Sequence, residues 1–197
     1  MESNKIIAAV LAGGKSSRMG QDKGLMLRRG KPMIQYVLEA INGCQIPAII
    51  VSANAVYSQF GYEVIPDIEL NKGPMGGLLS AMESVNATHV LLLSCDMPLI
   101  TSDIIIHLTS EVEEHSVTVA RIKNQLMPLL AVYSLRIKDA VKQRITLNEL
   151  KMHDLINAVD HKIVSYDNYK SLNSHWYINV NSPADFALLS ENGNTNN

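Results

Sequence analysis

The chain has 197 residues, 47% of them hydrophobic and 18% charged, a composition typical of a globular protein that buries a core. Seventeen basic and nineteen acidic side chains give a formal net charge of −2, which argues against binding to nucleic acid or to an anionic membrane surface. The two cysteines, Cys44 and Cys95, are too few for a disulfide framework and lack the C-x-x-C spacing of a zinc or redox site. No apolar stretch of about eighteen residues occurs, so we expect a cytoplasmic protein without a membrane span.

The first predicted element is a strand over residues 6–11, which is apolar at every position, as in a parallel strand covered on both faces. Because this run leads directly into a cationic loop, we interpret it as a strand rather than as the core of a signal peptide. Gly13 and Gly14 follow and allow a sharp turn, in which backbone N–H groups can approach a bound polyphosphate. The cations that come next are Lys15, Arg18 and Lys23. The pattern predicts a phosphate-binding loop.

This loop differs from two common phosphate-binding motifs. A Walker loop needs a glycine five positions before Gly14, and the chain has Ala9 there, inside the predicted strand. The dinucleotide fingerprint needs alternating glycines, whereas Gly13 and Gly14 are adjacent. The loop is therefore either a third type of phosphate site or a surface turn with scattered cations.

Apolar strand-like runs alternate with helical patterns along the rest of the chain, which predicts βαβ units and a mainly parallel sheet with helices on both faces. In the first half, a helix opens at Pro32 and ends at Gly43, and a second helix follows the glycine-rich segment 73–77. The predicted strands of this half cover 48–52, 62–65 and 89–94. We expect a single-domain, three-layer αβα fold of the α/β class, with a Rossmann-like N-terminal half.

The second half is less sharply patterned. Pro128 cannot donate a ladder hydrogen bond, so the strand that contains it is predicted to be an edge strand or to carry a bulge. The domain is predicted to span 1–190, and residues 191–197 to form a disordered polar tail. The other predicted elements are a helix from 101 or 102 to 114, strands over 117–122 and 126–133, helices over 135–144 and 147–159, strands over 163–166 and 176–180, and a last helix from 182.

Asp96 follows the predicted strand 89–94, at the sheet edge where open α/β sheets bind ligands. Magnesium takes one or two carboxylates together with substrate phosphates, so a carboxylate beside a phosphate loop predicts Asp96 as a Mg²⁺ ligand. The alternative is that Asp96 caps the next helix. The adjacent Cys95 has no histidine nearby in sequence and is interpreted as a small buried side chain, not a nucleophile. The histidines have no i, i+4 pairing, so a zinc enzyme is not expected.

The segment from Leu11 to Lys23 resembles the signature L-A-G-G-x-S-x-R-M-G-x-D-K of the MobA family of molybdenum cofactor guanylyltransferases. The aspartate before Lys23 favours this family over cytidylyl and isoprenoid relatives, which share the glycines and the arginine. The resemblance implies a nucleotidyltransferase fold of the GT-A type and a Mg²⁺-dependent enzyme. It implies nucleotide contacts from Leu11, Ala12, Gly13, Gly14 and Lys23, and catalytic roles for Arg18, Lys23 and Asp96.

Further motifs extend the resemblance. Cys95-Asp96-Met97-Pro98 resembles the family's C-D-x-P, in which the aspartate holds Mg²⁺ and contacts the nucleotide, and 73–77 is similar to its G-P-L-A-G. The family's guanosine contacts fall on Asn54 and Asp67, whose amide and carboxylate groups suit the donors and acceptor of guanine. Some members use an asparagine where this chain has Ser52. The alternative for Asn54 and Asp67 is turn chemistry.

Asn179-Val180-Asn181-Ser182-Pro183 resembles the family's N-x-N-[TS]-P, which places Asn179 and Asn181 on the molybdopterin side. Residues two apart on a strand share one face, so both amides could meet one ligand. The alternative is that they cap the next helix. Where the family has a histidine before the proline that matches Pro128, this chain has Met127.

The activity implied by the resemblance is transfer of GMP from GTP to the terminal phosphate of molybdopterin or its molybdenum form, with release of pyrophosphate. The expected partners are these small molecules and, after transfer, molybdoenzymes or their chaperones. Two alternatives stay open: a CTP-dependent cytidylyltransferase acting on molybdopterin or a small alcohol phosphate, and a non-catalytic GTP- or cofactor-binding protein.

Overall fold

Strands and helices alternate in the computed structural model, which describes residues 5–13, 22–69, 71–167 and 169. The strands are β1 (Ile6–Leu11), β2 (Leu27–Arg28), β3 (Lys31–Pro32), β4 (Ala48–Val51), β5 (Glu63–Ile65), β6 (His89–Ser94), β7 (Val117–Ile122), β8 (Gln125–Ser134) and β9 (His161–Ser165). The α-helices are α1 (Met33–Gly43), α2 (Gly73–Ser84), α3 (Ser102–Ser110), α4 (Lys138–Thr146) and α5 (Met152–Ala158). Short 3-10 helices cover Lys23–Leu25, Ala55–Phe60 and Leu135–Ile137.

Seven of these strands form one sheet in the order β5-β4-β1-β6-β8-β7-β9, while β2 and β3 pair as a small antiparallel ribbon. Neighbouring strands are parallel except where β8 pairs with β6 and β7. β8 reverses direction because it follows β7 through a two-residue turn, in which Lys123 and Asn124 have φ of 47° and 61°. Two positive φ values match the twist of a tight hairpin. The predicted mainly parallel α/β sheet is confirmed.

β8 pairs on both sides, so the prediction that Pro128 lies on an edge strand is wrong. The alternative prediction of a bulge fits the register. Val119 of β7 pairs with Ala131 and the next residue, Ala120, with Met127, which leaves residues 128–130 without counterparts on β7. The missing donor of Pro128 is therefore accommodated in an irregular part of the ladder.

Helices cover both faces of the sheet, as the sequence predicts. Ala8 and Val10 of β1 pack in the hydrophobic cluster that contains the buried faces of α1 and α3. Ala9 points the other way and packs with the buried residues of α2, α4 and α5. This alternation follows from the two-residue period of a strand, and it establishes the predicted three-layer αβα architecture.

Several predicted boundaries differ from the structure. The predicted helix 147–159 is wrong over 147–151. Asn148 has φ of 57°, a left-handed conformation that ends α4, and α5 begins only at Met152. α3 ends at Ser110 rather than at 114. The predicted strand 163–166 is β9, and the predicted helix 135–144 is a 3-10 turn followed by α4. The predicted strand 176–180, the last helix and the tail 191–197 lie outside the described residues.

Among the helices of the described ranges, none combines the length and the apolar character needed to cross a lipid bilayer.

Candidate active site

The carboxyl ends of four parallel strands, β5, β4, β1 and β6, meet at one edge of the sheet. The chain passes from β1 to β4 on one side of β1, and later from β5 to β6 on the other side. The connections therefore change direction between β1 and β6, which is where open α/β sheets form their ligand crevice.

A cavity of about 700 Å³ opens at this edge. The predicted site residues that line it are Leu11, Ala12, Gly13, Lys23, Asp67 and Asp96. They come from segments that are far apart in sequence, and the parallel sheet brings them together. The volume falls within the range of pockets that hold cofactor-sized ligands.

The end of β1 is held by hydrogen bonds to the segments on both sides of it. The Ala12 amide donates to Val51 O at 3.0 Å, and the Cys95 amide donates to Leu11 O at 3.0 Å. Gly13 then turns with φ of +91°, and a Cβ at this position would lie 3.2 Å from Oγ of Ser52. Both the backbone conformation and the close approach explain the glycine.

Lys23 and Asp96 form an ion pair at the floor of the cavity. Lys23 Nζ lies 3.5 Å from Oδ2 of Asp96, and the two side chains are 19% and 11% exposed. The other oxygen, Asp96 Oδ1, is buried and has no hydrogen-bond partner within the described part of the chain. A buried carboxylate oxygen without a donor is costly, so this atom is suited to a cation that arrives with the substrate.

Asp67 lines the cavity on the β5 side. Its Oδ1 accepts hydrogen bonds from Oγ of the buried Ser80 at 3.1 Å and from the Glu69 amide at 3.2 Å. These contacts give the carboxylate a fixed orientation. The Glu69 contact is the turn chemistry expected of an aspartate after a strand, and it is compatible with a ligand contact.

Asn54 lies beside the cavity rather than in its lining, which is formed here by Ser52 and Ala53. Its Oδ1 accepts from the Val56 amide at 3.1 Å and caps a 3-10 helix, and its Nδ2 donates to Asp22 Oδ2 at 3.3 Å. The structure thus gives Asn54 the turn role that the sequence left open. A guanosine contact from Asn54 would require its amide to change partners.

The glycine-rich segment 73–77 forms the beginning of α2, with Pro74 in the first turn. Gly77 faces β1 closely, since a Cβ there would come within 2.7 Å of Leu11 Cδ2. Gly73, Pro74 and Gly77 line the cavity, so the N-terminal end of a helix borders it. Helix N-termini favour negatively charged groups.

Cys95 lines the cavity and is only 5% exposed. Burial, followed by the nearby carboxylates of Asp96 and Asp22, raises the pKa of its thiol far above the usual range. A thiol that stays protonated is a poor nucleophile, which agrees with the interpretation of Cys95 as a small buried side chain.

Several contributors to the site carry no sequence motif: Ser52, Asn71 and Leu129 in the lining, and Ser80 behind Asp67. Only the comparison of Ser52 with the family's asparagine pointed to one of them. The predicted site residues Gly14, Arg18, Asn179 and Asn181 lie outside the described residues, so the structure does not place them.

Comparisons with known proteins identify the family to which this chain belongs. The family model described as a MobA-like NTP transferase domain matches residues 8–163. The probable molybdenum cofactor guanylyltransferase of Flavobacterium johnsoniae is 38% identical over 184 residues, which are 93% of this chain and 95% of that protein. The molybdenum cofactor guanylyltransferase of Shewanella sediminis is 32% identical over 196 residues, 96% of this chain and 97% of the relative.

Among solved structures, molybdopterin-guanine dinucleotide biosynthesis protein A from Archaeoglobus fulgidus has the same fold, with a TM-score of 0.81 at 21% identity, over 94% of this chain and 97% of that one. The CMP:2-keto-3-deoxy-manno-octonic acid synthetase solved with CTP shares the fold more distantly, with a TM-score of 0.73 at 16% identity, over 95% and 99% of the two chains. The family match and the two sequence relatives show that this chain is a nucleotidyltransferase that belongs to the MobA-like NTP transferase family.

Proposed function

We propose that this nucleotidyltransferase moves the GMP group of GTP onto the terminal phosphate of molybdopterin or its molybdenum form. The observation that supports the proposal most directly is one cavity in which the turn at Gly13, the Lys23 ammonium and the Asp96 carboxylate converge. Family membership supplies the reaction class, and the names of the relatives suggest guanine and molybdopterin as the specificity.

The reaction needs little covalent help from the protein. A phosphate oxygen of the acceptor forms a bond to the α-phosphorus of GTP, and the bond from that phosphorus to the oxygen that bridges to the β-phosphate breaks, so that pyrophosphate leaves. The attacking oxygen is already an anion, so no base has to remove a proton. Alignment of the two reactants can contribute roughly 7–11 kcal/mol, and neutralising their repulsion contributes further.

Each described residue has a role that fits its position. The Gly13 turn and the N-terminal end of α2 favour phosphate groups, Lys23 neutralises the charge on the transferring phosphates, and Asp67 faces the nucleoside. Asn54 is assigned to the nucleoside side with Asp67. Four further roles rest on the family resemblance: phosphate contacts from Gly14 and Arg18, and molybdopterin contacts from Asn179 and Asn181.

Magnesium fits the Asp96 position. Asp96 Oδ1 is a hard, buried, anionic oxygen that lacks a hydrogen-bond donor within the described ranges, and Mg²⁺ prefers such oxygens together with substrate phosphates. When bound, the ion would supply positive charge to the triphosphate. Asp96 would hold it, and Lys23 would then turn from Asp96 to the phosphates.

The purified protein, supplied with Mg²⁺ and molybdopterin, should release pyrophosphate from GTP and from no other of the four common nucleoside triphosphates. A pyrophosphatase-coupled assay measures this release. Turnover with CTP instead would favour the cytidylyltransferase alternative, and thermal protection by GTP without product would favour a binding protein.

The proposal also includes delivery of the product to molybdoenzymes or their chaperones, and a cytoplasmic location. The free state of Cys44 and Cys95 suits a reducing compartment.

A further inference from the structure

Two dipeptides lie side by side at the cavity: Lys23-Gly24 and Cys95-Asp96. Lys23 pairs with Asp96 at 3.5 Å. Their chain neighbours, Gly24 and Cys95, also lie close together. A Cβ placed on Gly24 would come within 3.2 Å of Cys95 Sγ and would overlap the hydroxyl oxygen of Tyr57. The backbone that carries Lys23 is therefore packed directly against Cys95 and Tyr57, with no space for a side chain on Gly24.

The carboxylate of Asp22 fixes this backbone from the other side of Lys23. It accepts hydrogen bonds from the Gly24 amide at 3.2 Å, from Asn54 Nδ2 at 3.3 Å and from the Tyr57 hydroxyl. The first contact caps the 3-10 helix that begins at Lys23. The other two link Asp22 to the segment that follows β4. Both chain neighbours of Lys23, Asp22 and Gly24, are therefore held in place by hydrogen bonds.

Tyr57 is the buried residue whose hydroxyl group holds the Asp22 carboxylate. Its side chain is fully buried, and its ring lies 6.1 Å from that of Phe60, centroid to centroid. Burial, together with the hydrogen bond to Asp22 and the charge of its carboxylate, raises the pKa of the Tyr57 phenol well above the usual range, so the hydroxyl stays protonated and donates to Asp22. Tyr57 is outside the cavity lining, and the function described above does not use it.

A lysine side chain is long and flexible, so its ammonium stabilises a transition state only when its backbone is held in place. We propose that Tyr57 is a positioning residue, which acts through the Asp22 carboxylate to hold Lys23 opposite Asp96. This inference deepens the proposed guanylyl transfer, on which its kinetic test rests. It also links the nucleoside side to the phosphate side of the site, because Asn54 shares the same carboxylate.

The kinetic test compares Tyr57→Phe, Asp22→Asn and the double variant in steady-state GMP transfer. We expect Tyr57→Phe to lower kcat about tenfold while KM for GTP changes much less, since a small misplacement of Lys23 affects the transition state most. The double variant should lose no more kcat than Asp22→Asn alone, because the two residues act as one unit. The proposal would be overturned if Tyr57→Phe lowered kcat/KM only by raising KM. It would also be overturned if the loss of kcat in the double variant were the product of the losses in the two single variants.

Tyr166→Phe is the matched control for the loss of a buried phenol. Tyr166 is 4% exposed, follows β9 at the edge of the sheet opposite β5, and donates to Ile104 O at 3.0 Å. We expect this control to lower the melting temperature as Tyr57→Phe does, with kcat unchanged. If both variants reduce kcat equally, Tyr57 has only a structural role and the inference is wrong.

A second measurement needs no turnover. The protein is treated with a limiting amount of N-hydroxysulfosuccinimide acetate, and acetylation of Lys23 is compared with that of the exposed Lys151 by peptide mass spectrometry. Tyr57→Phe should raise the relative labelling of Lys23 by about twofold to tenfold, the change that loss of one hydrogen bond produces, whereas Tyr166→Phe should not. If wild-type protein transfers no GMP, the proposed function fails and the labelling alone decides: an unchanged Lys23 rate overturns the positioning role.

Discussion

Lys23 Nζ lies 3.5 Å from Asp96 Oδ2, although the two residues are 73 positions apart in the chain. In this arrangement, the cation expected to bind phosphate and the carboxylate expected to bind metal serve as counter-ions for each other. Binding of a metal–triphosphate complex would supply each with a new partner of opposite charge. The pair therefore keeps both groups in place while limiting the cost of burying either charge alone.

Replacement of Asp96 by alanine should abolish metal-dependent pyrophosphate release, with a loss in kcat of about 10²-fold or more, because the carboxylate that would recruit the cation is removed. The measurement is the rate of release from GTP over a series of Mg²⁺ concentrations. Asp139→Ala, on the exposed face of α4, is the control and should keep the wild-type rate. Wild-type activity in Asp96→Ala would contradict the assigned role.

Replacement of Lys23 by alanine should reduce kcat more than it weakens nucleotide binding. A cation that acts on the transferring phosphates contributes most where charge develops during the reaction. Equilibrium binding of GTP and steady-state kinetics, measured on the same preparation, separate the two effects. Lys142→Ala removes a surface lysine that pairs with Glu83 and should change neither quantity. A variant that loses affinity while keeping kcat would place Lys23 in ground-state binding instead.

The N-terminal half of the fold and much of the site follow from the sequence, because strong local signals coincide there. The apolar run 6–11 has to be a buried strand, and the glycine after Ala12 has to turn with positive φ. Asp96 follows the fully buried β6, so parallel pairing with β1 brings it to the same edge as Gly13. Each of these positions depends on one strand and its immediate continuation.

The remaining features depend on contacts that have no local signal. The turn before β8 uses Lys123 and Asn124 at positive φ, so no glycine indicates the hairpin that makes β8 antiparallel. Asn148 ends α4 in the same way. Tyr57 reaches Asp22 across 35 positions, and only the folded chain shows that an apparently ordinary tyrosine supports a motif residue.

Gly24→Ala should destabilise the protein by about 1–3 kcal/mol, because the added methyl group would overlap the Tyr57 hydroxyl and press on Cys95. The free energy of unfolding in urea measures the effect. The same substitution in the Tyr57→Phe background is the matched comparison. It should cost less there, since the phenol oxygen that the methyl group meets is absent. An equal cost in both backgrounds would show that the contact with Tyr57 does not limit residue 24.

Stability should fall as the pH drops through the titration range of His89. This residue is 6% exposed at the start of β6, with Nδ1 2.9 Å from Thr88 Oγ1 and with no partner for Nε2 within the described residues. Burial, then the nearby charge of Arg136, lowers the pKa of His89 below its ordinary value of 6.5. The folded state therefore disfavours the protonated form.

The sign follows from proton binding in the two states. Below pH 6.5 the unfolded chain protonates this histidine, while the folded protein does so only at a lower pH. The unfolded state thus binds more protons in this window, and the free energy of unfolding decreases as the pH falls through it. Urea unfolding at pH 8 and pH 5.5 should show a larger difference for the wild type than for His89→Asn, with His153→Asn as the control for substitution of an exposed histidine. Equal pH dependence in wild type and His89→Asn would mean that the buried imidazole does not create the acid sensitivity.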